Sequence, residues 1–159
     1  RFIVNWKLCS SMKAEDVKAT LNEALLASDV PENSRPKLLS DNGSCYISLE
    51  LANYLQIQNM KHVRGRPLHP QTQGKIERYH RSMKNVVKLD NYFSPEQLEQ
   101  KLNEFVYYYN NKRYHESLQN LTPAEVYHGK AESKLKQRRM TKSRTLKARK
   151  KQYQKLNLN

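Results

Sequence analysis

Two carboxylates stand where chemistry could use them. Asp41 follows the strand-like run Lys37 to Ser40, and Asn42-Gly43 turns the chain behind it. Its side chain would therefore emerge at the carboxyl edge of a sheet, where α/β proteins place their sites. Asp-Asn-Gly is equally good turn chemistry wherever a chain reverses, so Asp41 alone decides nothing. Glu77 opens a helix directly after the polar loop Leu68 to Gly74. An acid in a first helical turn also has a bland role, interaction with the helix dipole. At about 100° per residue, however, Glu77, Arg81, Lys84 and Lys88 share one face, with Ile76, Met83 and Val87 as the buried stripe beside it. A carboxylate followed along one face by cations suits a metal site beside a phosphate backbone, although the same charges could simply pair in water at (i, i+4) spacing.

The elements that must position these groups follow from periodicity. Phe2, Val4, Trp6 and Leu8 alternate with polar or smaller neighbours, the period of a strand with one buried face. Val17, Leu21, Ala24 and Leu25 recur at helical spacing between Lys13 and Ala27. The Asp41 strand follows, then a helix carrying Leu49, Ala52 and Leu55, then a short strand at His62 to Arg64. Alternation of this kind favours an α/β sheet with helices packed on it. Arg66 to Gln73, with two prolines, reads as a loop, and a long helix spans Gly74 to Lys88. Another helix starts at Ser94-Pro95, with a core stripe of Leu98, Leu102, Phe105, Val106 and Tyr109, and a last short one starts at Thr122-Pro123.

Lys and Arg number 29 against 15 Asp and Glu, a formal net charge of +14, which points to an acidic polymer and first of all to nucleic acid. Most of the excess lies at one end. From Lys130 to Asn159 twelve basic residues face one acid, Glu132, so 12 − 1 = +11 of the charge sits in a tail expected to be flexible, or helical only under suitable conditions. No run is apolar enough for a membrane span, and the start at Arg1 lacks the pattern of a signal peptide. The chain looks cut from something longer. Cys9 and Cys45 have no ligand spacing, nor do His62, His69, His80, His115 and His128, so reduced cytosolic thiols are expected and a zinc site is not. Tyr107, Tyr108 and Tyr109 could stack on bases, but core packing is the default, certainly for Tyr109 and for at least one of the others.

Taken together, Ser40-Asp41-Asn42-Gly43-Ser44, the stretch from His69 to Lys84, Tyr108-Tyr109-Asn110, Arg113-Tyr114-His115 and Leu121-Thr122-Pro123-Ala124 resemble the DDE transposases of bacterial insertion sequences, relatives of retroviral integrases. The gap between Asp41 and Glu77, 77 − 41 − 1 = 35 residues, is typical of that family's second and third acids, as is a basic residue seven positions after the Glu, here Lys84. The resemblance runs from Arg1 to about Gly129 and implies an α/β, RNase H-like mixed sheet flanked by helices. Residues 1–129 would be a partial catalytic core and 130–159 a basic C-terminal tail.

The resemblance further implies three carboxylates holding two Mg²⁺ or Mn²⁺ ions about 3.5–4 Å apart, which assist in-line displacement at phosphorus. Asp41 and Glu77 would be the catalytic metal ligands, and His69 would approach them through its loop. Lys75, Arg78, Arg81 and Lys84 would contact the DNA backbone, Lys84 foremost. Cleavage of transposon ends and strand transfer into target DNA would follow, in a bacterial cytoplasm, by a homo-multimer without a membrane partner. One feature departs from the family. Its first Asp lies on a strand upstream of the one that Arg1 to Leu8 resembles, and Glu15, Asp16 and Asp29 match no family motif. The expectation is an N-terminally truncated, inactive and marginally stable chain. The competing readings are a non-catalytic DNA-binding remnant, which the basic tail alone would support, and a nuclease of the same fold that only hydrolyses.

Overall fold

The computed structural model describes residues 1–65 and 74–156, so the stretch from Arg66 to Gln73 expected to be a loop, with His69, lies outside the described residues. The chain divides into two compact units. The first comprises Ile3–Val106 with Arg1, and the second Tyr107–Asn159 with Phe2.

The first unit is organised by helix α1 (Ala14–Ser28) and helix α3 (Leu49–Ile57). Ala14, Leu51, Leu55 and Met60 form its buried cluster, against which Val17, Leu21, Leu25, Leu38 and Tyr54 pack. The helical spacing of the α1 residues thus does what an amphipathic stripe should. Ser48 caps α3 by accepting from Leu51 N at 3.2 Å. Strand β1 (Leu38–Ser40) pairs in parallel with strand β2 (His62–Arg64), in the register Leu38 to His62 and Ser40 to Arg64. Parallel strands require a crossover connection. Here it is supplied by the short helix α2 (Ser44–Ile47), which the sequence reading did not anticipate, and by α3.

One expected strand is absent. Residues 2–8 form no ladder among the described residues, and Val4 and Leu8 are exposed where alternation put them on a buried face. The segment runs along α1 instead: Asn5 Nδ2 donates to Thr20 O at 3.1 Å and to Glu23 Oε2 at 3.0 Å, and Lys7 Nζ lies 3.4 Å from Glu23 Oε1. With its polar side chains tied to a helix, the segment lends no backbone to the sheet. Among the described residues that sheet is accordingly a parallel pair rather than the mixed sheet expected.

Helix α4 (Gly74–Val87) and helix α5 (Pro95–Asn111) complete this unit, α5 passing its last turn to the second. Tyr79 of α4 meets Phe105 of α5 with ring centroids 6.0 Å apart. The half-buried side of α4 carries Tyr79, Met83 and Val87. Ile76, expected in that stripe, is 50% exposed, because the stripe takes hold one turn later at Tyr79.

In the second unit, Tyr109, Asn110, His115, Leu121, Thr122 and Pro123 are buried. Tyr107 and Tyr108 are both exposed, which corrects the expectation that one of them packs: Tyr109 alone of the three faces inward from α5. Helix α6 (Pro123–Tyr127) starts with Pro at its first position and a reciprocal cap. Glu125 N donates to Thr122 Oγ1 at 3.2 Å, and Thr122 N donates to Glu125 Oε2 at 3.0 Å. The stretch read as a basic tail is one continuous helix, α7 (Ala131–Leu156). Its composition allows this, since Lys, Arg, Leu, Ala and Gln are strong helix formers and neither Gly nor Pro interrupts.

Candidate functional site

Asp41 leaves the carboxyl end of β1 on an exposed turn. Its Oδ1 accepts from Gly43 N at 2.8 Å, the Asx-turn geometry that fixes a carboxylate against its own backbone. Asn42 Nδ2 donates to Gly65 O at 2.9 Å, and Gly65 N donates to Ser40 O at 2.9 Å, so the turn is clipped to the residue that follows β2. A Cβ on Gly43 would stand 3.0 Å from Asp41 Oδ1, which explains glycine at that position without appeal to its dihedral freedom.

Beneath the turn lies buried Ser40. Its hydroxyl donates to Asp41 O at 2.8 Å and sits 2.8 Å from His62 Nε2. Since the hydroxyl has one proton and has given it to Asp41 O, the His62 ring must donate through Nε2. Burial, and secondarily Arg64, hold the His62 pKa below its usual value. The ring is thereby biased towards the neutral Nε2–H form. Sequence reasoning missed this pair because the partners are separated by 22 positions and neither belongs to a recognisable pattern.

Asp41 also lines a cavity of about 360 Å³ with Asp16, Cys9, Cys45 and Tyr46. Burial raises the Tyr46 hydroxyl pKa, and Cys45 and Asp41 add to the effect. Asp16, set aside on sequence grounds, is thus brought to the same cavity as Asp41. Its carboxylate is already engaged: Ser11 Oγ donates to it in a short hydrogen bond, Lys13 N donates at 3.2 Å, and both hold its pKa low. From the third position of α1 it reaches back to the backbone of the cap residue Lys13 and closes the helix start. Both cysteines are free and half-buried.

Glu77 occupies the first turn of α4 and is exposed, as are Lys75, Arg78, Arg81 and Lys84. Seven residues at about 1.5 Å rise put Lys84 about 10.5 Å beyond Glu77 on nearly the same meridian. Arg78 Nε donates to Gly74 O at 2.9 Å, which turns its guanidinium back towards the helix start. Glu77 does not line the Asp41 cavity. Among the described residues no three His, Cys, Asp or Glu side chains come together as a metal-holding group. Asp41 and Glu77 supply the oxygen donors that hard divalent cations prefer, but two carboxylates are not a complete site.

Residues 58–123, which include Glu77 and the α4 cations but not Asp41, match a family model described as an integrase core domain. A putative integrase, ORF3 of Spiroplasma virus SpV1-C74, is 33% identical in an alignment of 100 residues that covers 55% of this chain. The chain spans 28% of the length of that relative. The catalytic core domain of BIV integrase superposes with a TM-score of 0.60 at 23% identity, covering 81% of this chain and 80% of that one. A chain of the simian T-cell lymphotropic virus intasome, solved in complex with PP2A regulatory subunit B56 gamma, gives 0.62 at 19% identity, covering 76% and 42%. The likeness to solved structures establishes the fold: a helix-rich α/β arrangement with a small parallel sheet, similar to an integrase catalytic core. Among the described residues no helix is long and apolar enough to cross a membrane.

Proposed function

We propose that this chain is part of an integrase- or transposase-type polynucleotidyl transferase that cuts DNA ends and joins them to target DNA, with Asp41 and Glu77 as two of its metal-binding carboxylates. The observation that carries the reading is the integrase-core match across residues 58–123, whose first long helix presents Glu77 in its opening turn and Lys84 on the same face. A divalent cation, Mg²⁺ or Mn²⁺, would supply Lewis-acid stabilisation of the charge that develops on the exchanging oxygens. Asp41 brings to it a carboxylate oriented by Gly43 N–H and a turn anchored through Asn42. Glu77 brings a second, and a further acid from elsewhere in the protein completes the set. Lys75, Arg78, Arg81 and Lys84 hold the phosphate backbone, which fixes where DNA lies without selecting its sequence. Residues 1–129 act as the partial core and 130–159 as a basic extension of it. The working enzyme is a bacterial homo-multimer on paired ends.

The test compares the 159-residue chain with the product of the longest reading frame that contains it, on labelled DNA ends in Mn²⁺, scoring cut and joined products separately. The longer product is expected to nick and join, and to lose at least about 100-fold of both activities in Asp41→Asn and in Glu77→Gln, the scale of removing a principal electrostatic group. The chain alone is expected to do neither. Full activity of the longer product carrying Asp41→Asn would sink the reading. Cutting without joining would move it to a nuclease.

A further inference from the structure

The second unit carries a surface that the catalytic reading leaves unused. Helix α7 bears eleven basic residues and one acid over 26 residues. At about 1.5 Å rise per residue it is about 39 Å long, so cations recur about every 3.5 Å along its axis. Phosphates of one strand of a duplex recur about every 3.4 Å. The cations circle the helix: at 100° per residue Lys134, Arg139, Lys147 and Arg144 fall in four different quadrants. The apolar Leu135, Leu146, Tyr153 and Leu156 fall within about 80° of one another and Met140 stands apart from them, too little for the broad greasy face that an interfacial membrane helix needs.

Left to itself such a helix is strained by its own charge. Lys134 with Arg138, Arg138 with Lys142, Lys147 with Lys151 and Lys151 with Lys155 are like-charge (i, i+4) pairs, a spacing at which like charges oppose helix formation. A polyanion lying along it would relieve that repulsion.

The first turns are treated differently from the rest. Arg138 Cζ stands 5.5 Å over the Tyr114 ring, and its Nη1 donates to Gln119 O at 3.3 Å. Lys134 Nζ lies 3.7 Å from Glu125 Oε1, the carboxylate that also caps α6. Leu135 is half-buried, whereas every described residue from Gln137 to Leu156 is exposed.

We propose that α7 is a second nucleic-acid-binding site, a helical rail that lies along the phosphate backbone of duplex DNA through its distal cations, of which Arg144, Lys147, Lys151 and Lys155 fall within about 80° of one another. Lys134 and Arg138 stay bound to the protein and are positioning residues. The inference shares with the proposed function only the identity of the partner, and it requires neither Asp41 nor a metal.

The test is titration of the 159-residue chain against a labelled 20-bp duplex in EDTA, across a KCl series, by fluorescence anisotropy. Neutralising four distal cations together (Lys147→Gln, Lys150→Gln, Lys151→Gln, Lys155→Gln) should flatten the slope of log K against log[KCl] by about 3–4, at about 0.9 per phosphate, and weaken binding roughly 10²–10³-fold at 0.1 M salt. Replacing the same four by Arg should restore both. Arg138→Gln should leave the slope unchanged while speeding amide exchange in the first turns of α7. Circular dichroism should show helix gained when DNA is added to wild type and less gained in the four-site variant. Arg81→Gln with Lys84→Gln reports on α4 separately. An unchanged slope in the four-site variant beside a reduced one in the α4 variant overturns the rail and leaves the proposed function standing. A slope reduced by Arg138→Gln as much as by a distal Lys overturns the division of roles. Anionic vesicles outcompeting the duplex at equal charge would overturn nucleic acid as the partner.

Discussion

Replacing Ser40 by Ala should cost the first unit about 1–2 kcal/mol, on the following grounds. Ser40 is 5% exposed, and its hydroxyl makes two hydrogen bonds of 2.8 Å, to Asp41 O and to His62 Nε2. A neutral hydrogen bond contributes about 0.5–1.5 kcal/mol net, and a buried partner left unsatisfied costs about 1–3 kcal/mol. His62 is only half-buried and Asp41 lies on an exposed turn, so water can reach both orphaned groups and the loss should sit at the low end of the combined range. The assay is urea unfolding followed by the fluorescence of Trp6, the only tryptophan in the chain, which belongs to this unit. With a slope near 2 kcal/mol per M, the midpoint should fall by about 0.5–1 M. A double-mutant cycle with His62→Ala should show coupling of at least about 0.5 kcal/mol. A midpoint that does not move, or two losses that simply add, would refute the claim that Ser40 joins the two strand ends.

Three further outcomes follow from the same contacts. Gly43→Ala should push the Asp41 carboxylate aside and weaken Mn²⁺ binding by the full-length protein several-fold with little change in unfolding midpoint, because the added Cβ meets Oδ1 at 3.0 Å; unchanged Mn²⁺ affinity by calorimetry would count against the turn geometry. Burial holds the His62 pKa below 6.5, so the folded state binds its proton less readily than the unfolded chain does. Stability of this unit is therefore full above about pH 6.5 and declines as pH falls through that value towards the lower folded pKa, a decline that His62→Gln should reduce in a pH series of urea midpoints. Thr122→Ala should cost about 1 kcal/mol, since it removes the acceptor for Glu125 N at the start of α6, and differential exchange of the α6 amides would register it.

Helices α1, α3, α4, α5 and α6 were legible because each announces itself locally, whereas α2 and the helical state of α7 were not. Leu98, Leu102, Phe105 and Tyr109 recur on one face, and Ser94-Pro95 and Thr122-Pro123 mark starts. β1 and β2 were legible too, as short runs lying between turn residues and predicted helices. Phe2 to Leu8 was not, because alternation says only that a strand would suit the residues and cannot supply a neighbour to bond with; Asn5 and Lys7 found Glu23 on α1 instead. Tyr107 and Tyr108 show the same limit in a helix, where identical side chains one position apart face different surroundings. Of the candidate site, Asp41 and Glu77 stood out by type and spacing, while the Ser40 to His62 bond and the meeting of Asp16 with Asp41 at one cavity depend on the chain returning to itself. Nothing in either local stretch signals it.

The parallel pairing of β1 with β2 also sets an order of events. The ends to be joined, Ser40 and His62, are separated by 62 − 40 − 1 = 21 residues, and no tight turn can close such a ladder. Loop-closure entropy has to be met before the strand bonds reward it, which makes non-local pairing slow. The α3 crossover, docked on α1 through fully buried Leu51, is what shortens that search. The Asp41 carboxylate can take its bond from Gly43 N locally, but the clip from Asn42 to Gly65 beyond β2 closes only when the crossover has brought the two strands together.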